Sequence, residues 1–193
     1  MPSPGIGLVL RETQRHRMVL LMGTLLFLSL RGLHVLLAAV WVGSMAFTSY
    51  LLMPVLQGLG PVGGHVMIGL NSKGMTRFIA LISGVTVLTG IYLFWHFTGG
   101  FDPEISRSHA GRAFGIGGFA GLIAAIVSRA IVGRSAEKVA RIMEQASMVP
   151  DGPQKGELMQ TATLLRQRVA TFSTVVLAFQ VIALILMAIG HYV

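Results

Sequence analysis

The sequence predicts an all-α integral membrane protein: a four-helix bundle with an extramembrane amphipathic helical hairpin between the third and fourth helices. Two observations carry this. Only 11% of the 193 residues are charged while 53% are hydrophobic, against about 25% charged in an ordinary soluble domain. Residues 32–72, 78–101, 113–128 and 169–193 contain no Asp, Glu, Lys or Arg. The apolar runs are continuous and do not alternate in short segments, which disfavours a membrane β-barrel.

A helix needs about 20 mainly apolar residues to cross the hydrocarbon core. The first span is read at 32–56, ending near Pro54, with Gly58, Gly60 and Pro61 as breakers. A loop through Gly63, Gly64, His65, Asn71 and Lys73 follows it. The second span is 78–98, closed by the turn Gly99-Gly100-Phe101-Asp102-Pro103. The third is 113–133 and the fourth 169–193. All belong to one membrane domain over 1–193, and little chain remains for a second globular unit. Ahead of the first span, the apolar run Met18–Leu30 follows a basic segment with Arg11, Arg15 and Arg17. It is read as an extension of the first helix or a helix lying at the interface, because no small-x-small cleavage site follows it.

Residues 135–168 differ in character. Val139, Ile142, Met143 and Ala146 recur at helical spacing, with Glu137, Lys138, Arg141 and Glu144 between them. Val149-Pro150-Asp151-Gly152-Pro153 breaks the pattern, and a second helical stretch leads to Arg168. This is the signature of an amphipathic hairpin on the membrane surface.

Four spans put the N-terminus and the loop between spans two and three on one side, side A. The opposite side, side B, holds the hairpin. Lys73, Arg77, Arg134, Lys138, Arg141, Lys155, Arg166 and Arg168 fall on side B, against Arg11, Arg15, Arg17, Arg31, Arg107 and Arg112 on side A. The positive-inside rule leans towards side B as cytoplasmic.

The formal net charge of +8 comes from residues flanking the apolar spans, where they anchor to anionic headgroups. No basic and aromatic residues interleave, so nucleic acid is not an expected partner. The absence of cysteine excludes disulfides, thiolate metal sites, iron–sulfur clusters and covalent haem attachment.

Ionisable groups inside a bilayer are costly and need a reason. His34, His96 and His191 lie in three different spans, all towards side A. Two histidines suffice for a six-coordinate b-type haem held between facing helices. Trp41 follows His34 by seven residues, on nearly the same helix face. These four residues form the expected cofactor site, with the histidines as metal ligands. Histidines near an interface also serve as plain headgroup-level polar residues, and Trp or Tyr as belt residues. Gly117, Gly121 and Ala125 form a small-residue ladder suited to close helix packing. Copper is the competing ligand: the methionines include Met45, Met53, Met67 and Met75, and thioethers suit Cu(I).

The stretch Leu30-Arg31-Gly32-Leu33-His34-Val35-Leu36-Leu37-Ala38-Ala39-Val40-Trp41-Val42-Gly43 resembles the first helix of the CopD-like superfamily of small membrane proteins. That group includes copper-resistance membrane proteins and HemJ-type protoporphyrinogen oxidases. Arg77-Phe78, Thr89-Gly90-Ile91-Tyr92 and Leu186-Met187-Ala188-Ile189-Gly190-His191-Tyr192 extend the similarity over most of the chain from Leu30 onward. The resemblance implies a four-helix core, a first-helix histidine at His34 and, in the HemJ branch, a b-type haem. The chain departs from that branch in its third helix, Gly111-Arg112-Ala113-Phe114-Gly115-Ile116-Gly117, which lacks the branch's lysine and histidine. It departs again at Leu52-Met53-Pro54-Val55-Leu56, which lacks its arginine.

The expected function is therefore membrane electron transfer on a b-type haem, in a bacterial inner membrane, with other membrane redox subunits or a second copy as partners. No carboxylate pair, triad or phosphate loop suggests an independent enzyme. Copper handling and a cofactor-free structural subunit of a membrane complex are the alternatives.

Overall fold

The computed structural model describes residues 4–190 and Tyr192, and every described element is helical. The helices are α1 (Pro4–Phe47), α2 (Met53–Gly58), α3 (Pro61–Ser72), α4 (Met75–Phe97), α5 (Pro103–Arg107), α6 (His109–Val127), α7 (Arg134–Met148) and α8 (Pro153–Ile189). Two π-helical segments, Thr48–Leu52 and Ser128–Gly133, join α1 to α2 and α6 to α7 without a break. Four helical stretches are long and apolar enough to cross a membrane: Gln14–Gly58, Met75–Phe97, His109–Met148 and Pro153–Ile189.

α1, α4, α6 and the second half of α8 form the bundle. Each packs on the next, and α8 returns to α1 to close the ring. The interior is narrow because α6 turns Ala113, Gly117, Ala120 and Ala124 inward. At Gly117 a Cβ would come within 3.3 Å of the Ala183 carbonyl oxygen, so a side chain there would push α6 and α8 apart by a few tenths of an ångström. Trp41, Met45, Ile82, Ala124, Val176 and Leu177 fill the centre, with contributions from all four helices.

The turn from α4 into α6 is locally encoded. Gly99, Gly100 and Phe101 all adopt positive φ, and the Phe101 amide donates to Thr98 Oγ1 at 3.0 Å. Asp102 caps α5 by accepting from the Glu104 and Ile105 amides, and Ser108 caps α6 by accepting from Gly111.

Three expectations change. The segment read as a loop after the first span folds as α3, because Met67, Ile68 and Leu70 find apolar partners across the neighbouring helices. Pro54 does not end the first span. A proline ring clashes with the carbonyl four residues back, and here the wider π segment precedes it, with the Met53 amide bonded to the Thr48 carbonyl. The hairpin is not set apart from the spans: α6 runs through the second π segment into α7, and α8 runs from the hairpin into the membrane.

The hairpin itself is as expected. α7 buries Val139, Ala140, Met143 and Ala146 on one face, and Val139, Met143 and Ala162 pack with Ile68, Ile142, Met159 and Leu165. α3, α7 and the start of α8 thus form a three-helix cap over side B. At the other end, α1 overshoots. Phe27 stacks on His96 at 4.5 Å, one residue before α4 ends, so residues 14–26 continue beyond the bundle on side A. Met18, Leu21, Met22, Leu25 and Leu26 there are exposed.

Candidate functional site

His34 lies half-buried on the seam between α1 and α4. Its Nδ1 is 3.0 Å from the Thr86 carbonyl oxygen and 3.0 Å from Thr89 Oγ1. A carbonyl only accepts, so Nδ1 carries a proton, and in the neutral ring the lone pair is then on Nε2. Thr89 Oγ1 in turn donates to the Val85 carbonyl at 2.8 Å. Gly90 makes the approach of the ring feasible, since a Cβ there would come within 3.0 Å of His34 Cε1.

His96 lies on the same seam, stacked on Phe27 and exposed. Thr89 and His96 are seven residues apart, which places the two histidines about 10 Å apart along the seam. The structure therefore does not bring His34 and His96 to one point. His191 lies outside the described residues. Trp41 is 3% exposed at the bundle centre, packed among Met45, Ile82 and Val176, and its Nε1 has no hydrogen-bond partner among the described residues. Among the described residues no three His, Asp or Glu side chains gather as a metal centre.

The methionines do converge. A cavity of about 60 Å³ lies where the bundle meets the side-B cap. Met45 enters it from α1, Met53 from α2, Met67 from α3 and Met75 from α4. These are the four methionines singled out from the sequence. Four of the sixteen lining residues are Met, against 11 in the 193-residue chain. Chance would supply one. Both π segments border the cavity, through Thr48 on one side and Ser128, Arg129, Val132 and Gly133 on the other. Such segments recur at functional sites because they re-aim side chains within a helix.

Two polar features complete the site. Ser173 lines the cavity at 0% exposure, and its Oγ has no partner among the described residues. A buried hydroxyl left unpaired costs about 1–3 kcal/mol, so the position favours something that it can bind. At the rim, Arg129 Nη1 donates to Glu137 Oε1 at 3.2 Å, which neutralises the one charged side chain that lines the cavity among the described residues. Ser173, Ser128 and both π segments escaped the sequence reading. Isolated hydroxyls in an apolar run carry no periodic signal, and nothing in composition marks a π turn except Pro54.

No family model, curated protein or solved structure matches the chain.

Proposed function

We propose that this chain is a membrane protein that binds and passes on a soft monovalent metal ion, Cu(I), in the methionine cavity. The observation that carries the reading is the convergence of Met45, Met53, Met67 and Met75 from four different helices on one small space. Thioethers are neutral, soft donors that suit Cu(I) and hold hard cations poorly. The cavity's volume of about 60 Å³ is room for a few water-sized spheres at about 10–15 Å³ each, enough for a single ion among the thioethers of the wall. The buried Ser173 hydroxyl and the Arg129–Glu137 pair give the ion a polar, charge-balanced edge. The resemblance to the CopD-like superfamily supports the same chemistry and a bacterial cytoplasmic membrane as its location.

The haem expectation keeps one specific support. His34 has its Nδ1–H directed at a backbone carbonyl, the arrangement that commonly orients a metal-ligating imidazole. The two partly open pockets, about 60 and 10 Å³, are far below the roughly 300–1,000 Å³ of organic-ligand pockets. Among the described residues neither is lined by a histidine, and neither offers room for a macrocycle. The geometry favours the ion.

Silver(I), a redox-stable d10 ion, is the probe. Titration calorimetry of the detergent-purified protein is expected to show one Ag(I) per chain. The Met45→Leu/Met75→Leu double variant is expected to lose at least about tenfold in affinity, or 1.4 kcal/mol. Absence of binding, or binding indifferent to the double variant, overturns the reading. A reduced-minus-oxidised absorption spectrum on the same sample tests haem: a b-type signal lost in His34→Ala would transfer the function to the seam.

A further inference from the structure

A second, smaller pocket of about 10 Å³ lies on the side-B flank of the methionine cavity. It is lined by Met53, Leu56, Gln57, Gly63, Met67 and Arg166. Met53 and Met67 line both spaces, so two thioethers form the wall between them. We propose, as an extension resting on the metal-ion reading, that the outer pocket is the loading port of the site and that the ion enters the bundle from side B across Met53 and Met67.

The chemistry of the wall supports this. Methionine is unbranched, with three rotatable side-chain bonds and a polarizable sulfur. It can swing and it can bind. An ion crossing here forms a metal–sulfur bond to one thioether before it breaks a bond to its previous ligand. Neither its charge nor its oxidation state changes, and no proton moves. At the other rim, Arg129 presents a guanidinium held by Glu137, which offers a cation no ligand. Arg166 adds positive charge to the outer pocket. A hard cation meets that repulsion with no compensating oxygen cage, whereas a soft ion gains the sulfurs behind it. The port thereby selects before the cavity binds.

The frame around the port is fixed while its wall is not. Pro54 sits in the first turn of α2, which carries Met53 and Gln57. Gly63 lets α3 approach the Leu56 carbonyl so closely that any Cβ would collide with it. The two helices are thus held at a set distance, and the flexible parts are the two thioethers.

The chain has no cysteine, so one introduced thiol can be blocked selectively. Gln57 is exposed. A Gln57→Cys variant, carrying a bulky disulfide-forming label, is mixed with silver nitrate in a stopped-flow instrument and binding is followed by tryptophan fluorescence. The label is expected to slow loading at least about tenfold and to leave equilibrium Ag(I) affinity unchanged. The same cysteine capped with the small S-methyl group of methyl methanethiosulfonate, which leaves no free thiolate to take up Ag(I), is expected to keep the rate of the unlabelled protein. The bulky label on Tyr192→Cys, 89% exposed and on side A, leaves the rate unaltered. Unchanged loading with Gln57 blocked overturns the port while the cavity reading stands. Failure of the unlabelled protein to bind Ag(I) at equilibrium removes the cavity reading itself. Labelling follows folding, so a misfolded variant cannot mimic either outcome.

Discussion

Gln180 is 2% exposed inside a membrane span, and neither amide atom has a partner among the described residues. Leaving such a group unpaired costs about 1–3 kcal/mol. Gln180→Leu keeps the volume and removes the cost, so the variant is expected to be more stable by about that amount in a thermal melt in detergent. The opposite strain lies at Gly90, where a side chain would press on the His34 ring. Gly90→Val is expected to lower stability by about 1–3 kcal/mol, with loss of the His34–Thr86 hydrogen bond visible as a shifted imidazole resonance. His34 was legible because a histidine in an apolar run stands out, and the methionines because thioethers have their own coordination chemistry. Gln180 and Ser173 were not, because burial and lack of a partner are properties of the neighbours, which a single span does not encode.

Segments show a different balance. The four spans were readable from charge-free length alone, and the α7 face from its spacing. α3 was not, because its glycines and Pro61 signal a loop while its apolar residues find partners only across the neighbouring helices, Met53 and Leu56 of α2 among them. Continuity was also hidden: Pro54 marks a break in sequence, and the π segment absorbs it in structure. That segment sets the phase of Met53. In Pro54→Ala the amide of residue 54 can bond the Tyr50 carbonyl in ordinary α geometry, which rotates α2 relative to α1. Ag(I) affinity is then expected to fall about tenfold in the calorimeter, with helical content unchanged. At the hairpin tip, Lys155 donates to Asp151 at 2.6 Å, and this hydrogen bond holds the Asp151 carboxyl below its ordinary 3.8. A lowered carboxyl pKa stabilises the fold above the unfolded value, and the contribution disappears as pH falls through the folded one. Amide exchange in residues 151–156 is therefore expected to lose protection below about pH 4, and Asp151→Asn to remove that pH step.

For the whole molecule, antiparallel threading delivers the methionines of α1, α2, α3 and α4 to one level on side B. No sequence pattern reports that convergence, because it depends on how far each helix runs before it turns. The same threading leaves α1 longer than its partners. Gln14–Gly58 spans 45 residues, about 67 Å of helix, beside a hydrocarbon layer of about 30 Å. Inclination alone does not reconcile them: about 40°, the upper end of the observed range, still leaves about 50 Å along the membrane normal. An apolar overhang that stays in lipid is met by local thickening of the bilayer on side A, and each added ångström carries a small elastic cost that falls in thicker membranes. The overhang makes the protein responsive to acyl-chain length. Given a choice between long- and short-chain lipid domains in one vesicle, it should gather in the thicker ones, and a chain lacking residues 14–26 should spread evenly.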